Sequence, residues 1–209
     1  MYTLYHGPGT CSLAIKAALA LSGAPHNIKP LDLAGGEHLG EAYRQISPLA
    51  KVPALSAEGG ELNGVLTEGS AILLYLASCY PEAKLLPEAG SAAYADALKW
   101  LQFLYATVHP HWGRVFFAER YGRDEGSIRS AAASELSNLY DIIEGQLSEH
   151  RYIAGDELTA ADLYLMVTLY WQGALDTPLT NTRPNLARYL AGIFDAPVIG
   201  EIYRSEFGA

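Results

Sequence analysis

The chain has 209 residues, with 14 Lys and Arg against 23 Asp and Glu for a formal net charge of -9, and half of its residues are hydrophobic while 18% are charged. That balance excludes a disordered chain and argues against nucleic-acid or anionic-membrane partners, because an acidic protein repels polyanions. The length supports one sizeable core or two small ones. No run approaches the ~20 apolar residues of a membrane span. The apolar run from Leu13 to Leu21 is interrupted by Lys16 and follows no basic segment, so it is not read as a targeting signal. Two cysteines, Cys11 and Cys79, do not make a disulfide framework, and a reduced, cytoplasmic protein is expected.

In chain order, Tyr2 to Tyr5 reads as a strand ended by the turn Gly7-Pro8-Gly9. Ser12 to Leu21 has helical spacing and is closed by Gly23. Asn27 to Leu33 reads as a second strand, Ala34-Gly35-Gly36 as a loop, and Glu41 to Ile46 as a short helix. Pro53–Leu55 and Glu61–Leu66 read as two strands about the turn Glu58-Gly59-Gly60. Ile72, Tyr75, Leu76 and Cys79 line one face of a helix that stops before Pro81. Residues 1–80 thus have the order βαβαββα, an α/β domain of thioredoxin-like type with a right-handed crossover.

Residues 81–91 shift to Pro, Glu, Lys and Gly and read as a linker. From 92 to 209 the pattern is all-helical, with helices expected near 92–109, 112–121, 128–149, 160–174, 184–195 and 197–204. Pro110 should kink the chain near His109. Thr159-x-x-Asp162 is a capping box, starting a helix that buries Leu163, Met166, Val167 and Tyr170.

The segment Lys51-Val52-Pro53-Ala54-Leu55 carries the clearest chemistry. A proline opening a strand invites a cis Val52–Pro53 bond, which would turn the N–H and C=O of Val52 outward without an intramolecular partner. Glu68-Gly69-Ser70 then begins a helix, offering a carboxylate beside backbone N–H groups. Together these suit an extended, zwitterionic peptide. Cys11 opens the first helix, where N–H groups and the helix dipole favour a thiolate. Ala14 stands where a second redox cysteine would, so a dithiol mechanism is closed. Ser12 and Tyr5 are rival hydroxyls, with helix capping and core packing as their competing roles. Gly7-Pro8-Gly9-Thr10-Cys11-Ser12 departs from the dinucleotide fingerprint at Ser12, and only one α/β half is present. His109 and His111, two apart, fall on different helix faces, and no metal site is expected from the six histidines.

These motifs in order, with Ala154-Gly155-Asp156-Glu157-Leu158-Thr159 downstream, resemble the glutathione S-transferase family along essentially the whole chain, most closely its bacterial beta class. The resemblance implies a transferase that joins the thiolate of glutathione, its co-substrate, to small hydrophobic electrophiles in detoxification, working as a homodimer. It implies glutathione contacts from Cys11, Lys51, Val52, Pro53, Glu68, Gly69, Ser70, Gln102 and His109, with His109 approaching the sulfur. Trp112, Phe116, Tyr164 and Trp171 are candidates for an acceptor pocket or for core. The family's loop lysine is replaced within Gly35-Gly36, leaving Lys51 as the cation for the glycyl carboxylate, and its acid–serine pair is Glu68-Gly69 here. The same site in a thiol-transferase would use Cys11 for a mixed disulfide, and some members keep the fold as binding modules.

Overall fold

The computed structural model describes residues 1–60 and 62–207, and its contacts divide into two compact units, Met1–Leu86 with the segment from Ala196 on, and Pro87–Asp195. In the first unit β1 (Tyr2–His6) is followed by α1 (Ser12–Ser22), β2 (His26–Pro30), α2 (Glu41–Arg44), β3 (Ala54–Ala57), β4 (Val65–Thr67) and α3 (Gly69–Cys79). The sheet order is β2-β1-β3-β4, with β1 parallel to β2, antiparallel to β3, and β3 antiparallel to β4. Leu4 therefore pairs with Ile28 on one side and Leu55 on the other. Leu4 and Leu55 are fully buried with Leu13, Ile15 and Leu19 of α1 and Ile72, Leu73 and Leu76 of α3. Each such side chain contributes about 1.5–3 kcal/mol of burial, which is what holds the two helices to this sheet. This is the expected thioredoxin-like order.

Several strand limits differ from the sequence reading. β2 stops at Pro30 instead of Leu33, because Asp32 turns the chain by accepting the N–H of Gly35 at 2.7 Å. β3 begins after Pro53, which has no N–H for the ladder, and runs to Ala57. β4 covers only Val65–Thr67, and Glu61, the expected start of that strand, lies outside the described residues. The short helix ends at Arg44, two residues before Ile46.

The second unit is helical: α4 (Ala92–Gln102), α5 (His109–Phe116), α6 (Glu125–Glu149), α7 (Ala160–Tyr170) and α8 (Pro184–Asp195). The expected kink at Pro110 takes a particular form. Between α4 and α5 the chain stays helical but widens into a π segment, Phe103–Val108, and the N–H of His109 bonds the carbonyl of Leu104 five residues back. Pro110 lacks the N–H for an ordinary turn and its ring crowds the carbonyl four residues earlier, and the wider turn relieves both. The helix then ends at Phe116, short of 121. α6 starts three residues earlier than expected, because Asp124 caps it by accepting the N–H of Ser127 at 3.0 Å. Glu144 of α6 in turn accepts the N–H groups of Asn185 and Leu186 at 3.0 and 2.8 Å, satisfying the start of α8.

α7 is buried on every side from Ala160 to Leu169, with Tyr170 only partly so, as befits a helix that is apolar all round. Its capping box is present. Asp162, fully buried, accepts the N–H of Thr159 at 2.8 Å and its hydroxyl at 3.0 Å, and also the N–H of Ile153 at 2.9 Å from the preceding loop. Burial pushes its carboxyl up to about 6, against the pull of these donors. The last helix, α9 (Ile199–Phe207), belongs to the first unit and packs on α1.

Replacing Asp162 by Ala strands three donors in a water-free position. The expected loss is about 3 kcal/mol of unfolding free energy in urea denaturation. A loss below about 1 kcal/mol would mean that the box is dispensable.

Candidate functional site

The turn between β1 and α1 is built from an unusually dense set of polar contacts. Gly9 sits in left-handed backbone at φ 72°. Gly7 lies so close to Leu33 that a β-carbon would collide with it. Ser12, fully buried, turns its hydroxyl inward to His6 Nδ1 at 2.7 Å and to Thr10 Oγ1 at 2.7 Å, and accepts the N–H of Gly7 at 3.1 Å. His6 is buried too, and its Nε2 meets Glu206 Oε1 of α9 at 2.7 Å. The same oxygen takes Lys16 Nζ at 2.8 Å, and the other Glu206 oxygen accepts the N–H of Gly9 at 3.1 Å. Burial alone would raise the Glu206 carboxyl, but the hydrogen bonds from His6 and Lys16, with that from Gly9, overturn it and hold it at about 2.

Cys11 stands inside this arrangement, between Thr10 and Ser12, as the residue that caps α1. It is 9% exposed, and its Sγ lies 3.8 Å from the carbonyl of Val52. The Val52 carbonyl therefore has an intramolecular neighbour, where the sequence suggested none. The Val52–Pro53 bond is cis. Lys51, exposed, has its carbonyl held by Tyr43 Oη and Ser47 Oγ, both at 2.9 Å. Tyr5 packs its ring on Tyr43 at 5.8 Å, under Lys29 Nζ at 5.3 Å.

Glu68 is exposed and sits at φ 66°, a left-handed value that a side chain disfavours. It precedes α3, whose first turn has no side-chain cap, and Gly69 and Ser70 follow it as buried residues. The first unit thus brings Cys11 and Val52 into contact.

In the second unit, His109 Nδ1 meets Tyr164 Oη at 2.5 Å, and its ring lies 5.1 Å from Trp171. Trp171 contacts Trp112 at 6.1 Å and Phe116 at 5.7 Å. The four aromatic candidates and His109 are therefore one connected cluster. Trp112 and Tyr164 are fully buried, whereas Phe116 is 37% exposed and Trp171 keeps part of its surface. Gln102 is exposed at the end of α4. Among the described residues no group of His, Cys, Asp and Glu could hold a metal ion.

Sequence reasoning missed His6, Lys16, Thr10, Tyr43, Ser47 and Glu206. Glu206 lies 197 positions from Gly9, and no local signal pairs them. His6 at the end of an apolar strand was the one hint, since a buried imidazole needs partners.

Known proteins share the fold of both halves of the chain. The family model for the glutathione S-transferase N-terminal domain matches residues 1–78, and that for the C-terminal domain matches residues 111–197. A glutathione S-transferase of Xanthomonas campestris is 31% identical over 171 residues, covering 80% of this chain and 81% of that protein. A sphingomonad glutathione S-transferase solved in complex with glutathione superposes with a TM-score of 0.85 at 31% identity, covering 99% of this chain and 100% of the other. The bacterial beta-class glutathione S-transferase of Sphingomonas chungbukensis does so with a TM-score of 0.84 at 32% identity, over 98% of each chain. The chain belongs to the glutathione S-transferase family. Its function is that of a glutathione transferase, with glutathione as co-substrate.

The Glu206 carboxyl titrates lower in the folded than in the unfolded protein, so its contribution to stability is present above about pH 4.5 and lost as pH falls toward 2. The stability gap between the parent and Glu206→Gln should therefore be full at pH 7 and shrink steadily below pH 4.5 in unfolding titrations. A gap independent of pH would contradict the assignment.

Proposed function

We propose that this transferase conjugates the glutathione thiolate to small hydrophobic electrophiles, with glutathione held along Lys51, Val52, Pro53, Glu68, Gly69 and Ser70. The observation that carries the reading is Glu68. A non-glycine residue at φ 66°, with an exposed carboxylate at the start of a helix lacking a side-chain cap, is the strained and polar arrangement that ligand sites retain. The carboxylate suits the ammonium group of glutathione, and the N–H groups that open α3 suit the neighbouring carboxylate. Lys51 supplies a cation for the glycyl end.

Cys11, at the start of α1 and beside the Val52 carbonyl, is the group we assign to the sulfur of glutathione. Ser12 and Tyr5 suit that role less well, since the Ser12 hydroxyl is engaged with His6 and Thr10 and Tyr5 packs against Tyr43. The roles of Gln102 and His109 rest on the family resemblance, and within the second unit His109 is braced by Tyr164. Phe116 and Trp171 carry the surface for the electrophile, and Trp112 and Tyr164 back it. A homodimeric, cytoplasmic enzyme of detoxification is the corresponding biological reading. Both Cys11 and Cys79 are free thiols, in keeping with a reducing compartment.

Glu68→Gln should weaken glutathione binding by about 1.5–3 kcal/mol in calorimetry, the size of a charge-assisted hydrogen bond. Unchanged affinity would reduce Glu68 to a helix-dipole partner.

Cys11→Ala should keep much of the conjugating activity toward an electrophilic aromatic halide, because Cys11 then only tunes the sulfur. It should abolish thiol transfer, in which the Cys11 thiolate attacks glutathione disulfide, forms a mixed disulfide, and expels a glutathione thiolate. Conjugation lost with glutathione binding intact would favour the thiol-transfer reading instead.

A further inference from the structure

We propose that Glu206, on the last helix, is a positioning residue for the glutathione site: its carboxylate sets the turn that carries Cys11. The proposal rests on the transferase reading for what the turn binds, but its geometry is independent of that reading.

The carboxylate is 7% exposed and serves three donors from three places in the first unit. These are His6 at the end of β1, the Gly9 N–H in the turn, and Lys16 one turn into α1. A carboxylate is acceptor-only, so His6 Nε2 must donate to it, which fixes the ring. The other ring nitrogen then holds Ser12 Oγ, which meets Thr10 Oγ1, whose hydroxyl donates to the Gly7 carbonyl at 2.7 Å. Cys11 is flanked on both sides by residues of this relay. Its Sγ lies 3.8 Å from the Val52 carbonyl.

Within this cluster Glu206 is the one member that comes from outside the first 16 residues, and α9 lies beyond the residues matched by either family model. Gly9 needs a partner of this kind. Its left-handed backbone aims the N–H at the carboxylate, and the Phe207 ring lies 4.0 Å from where a β-carbon would stand. The final helix thus brings one charged group and one ring onto the turn.

The test uses the full chain in a Cys79→Ser background, so that Cys11 is the only thiol. Glu206→Gln keeps the volume, but an amide has one acceptor oxygen for three donors and should release the turn. The expected result is a rise in the glutathione KM of about fivefold or more with kcat within about twofold. Alkylation of Cys11 by iodoacetamide, measured without glutathione, should accelerate by about fivefold or more as the turn opens. Lys16→Met is the control for stability alone. It removes the ion pair but leaves the His6 and Gly9 contacts, so melting falls while KM and alkylation stay within about twofold of the background protein.

If Glu206→Gln does not fold, Glu206→Asp, which retains the charge but is one methylene too short to reach both His6 and Gly9, should give the same two shifts. Unchanged KM and alkylation in the folded Glu206 variant, or equal shifts in Lys16→Met, overturn the proposal. Should the parent fail to bind glutathione, the transferase reading falls, and the alkylation comparison alone decides the role of Glu206.

Discussion

One buried carboxylate organises the first unit. Glu206 is nearly free of water and would prefer to be neutral there, yet two side chains and a backbone N–H hold it ionised at about 2. Because its donors come from the end of β1, the turn and α1, the carboxylate fixes three successive pieces of chain against one helix. The inward-turned Ser12 hydroxyl and the left-handed Gly9 are the local consequences. With the turn set in this way, Cys11 stands at the start of α1 and meets the Val52 carbonyl, and the polar edge assigned to glutathione acquires its sulfur end.

The helical unit depends on a parallel constraint. Asp162 ties the loop at Ile153 and the cap at Thr159 to the start of α7, a helix with no exposed face between Ala160 and Leu169. Such a helix gains little from its own amphipathicity and needs its ends placed by directional bonds. In the same unit Pro110 converts what would be one regular helix into α4, a π segment and α5, and the aromatic cluster around His109 and Trp171 grows from that irregularity. Widened helical turns of this kind occur often at functional sites.

Much of this was legible in the chain. The βαβαββα order, the all-helical second half, the cis Val52–Pro53 bond ahead of the third strand and the Thr159–Asp162 box each rest on local rules of periodicity, turn chemistry and capping, and each is found in the structure. The strand limits were less legible, because they depend on which backbone groups find partners across the sheet: Pro53 cannot donate and Asp32 offers a competing turn. The π segment was invisible, since the sequence announces only that Pro110 must disturb a helix and not how the disturbance is absorbed. Least legible was the His6–Ser12–Glu206 cluster. Ser12 reads locally as a helix-start hydroxyl and Glu206 lies past the expected last helix near 197–204, and only the fold, with that helix running to Phe207, turns them into one network. The aromatic candidates likewise looked alike in sequence, and burial separates Trp112 and Tyr164 from Phe116 and Trp171.

The central claim is that glutathione lies along the edge formed by the β1–α1 turn, the Val52–Pro53 peptide and the start of α3. Titrating the isotopically labelled protein with glutathione while following backbone amide resonances tests it most directly. The account predicts progressive, saturating shifts concentrated at Thr10, Cys11, Val52, Glu68, Gly69 and Ser70, with the far ends of α1 and α3 unmoved. Saturating shifts elsewhere, with those six amides stationary, would contradict it.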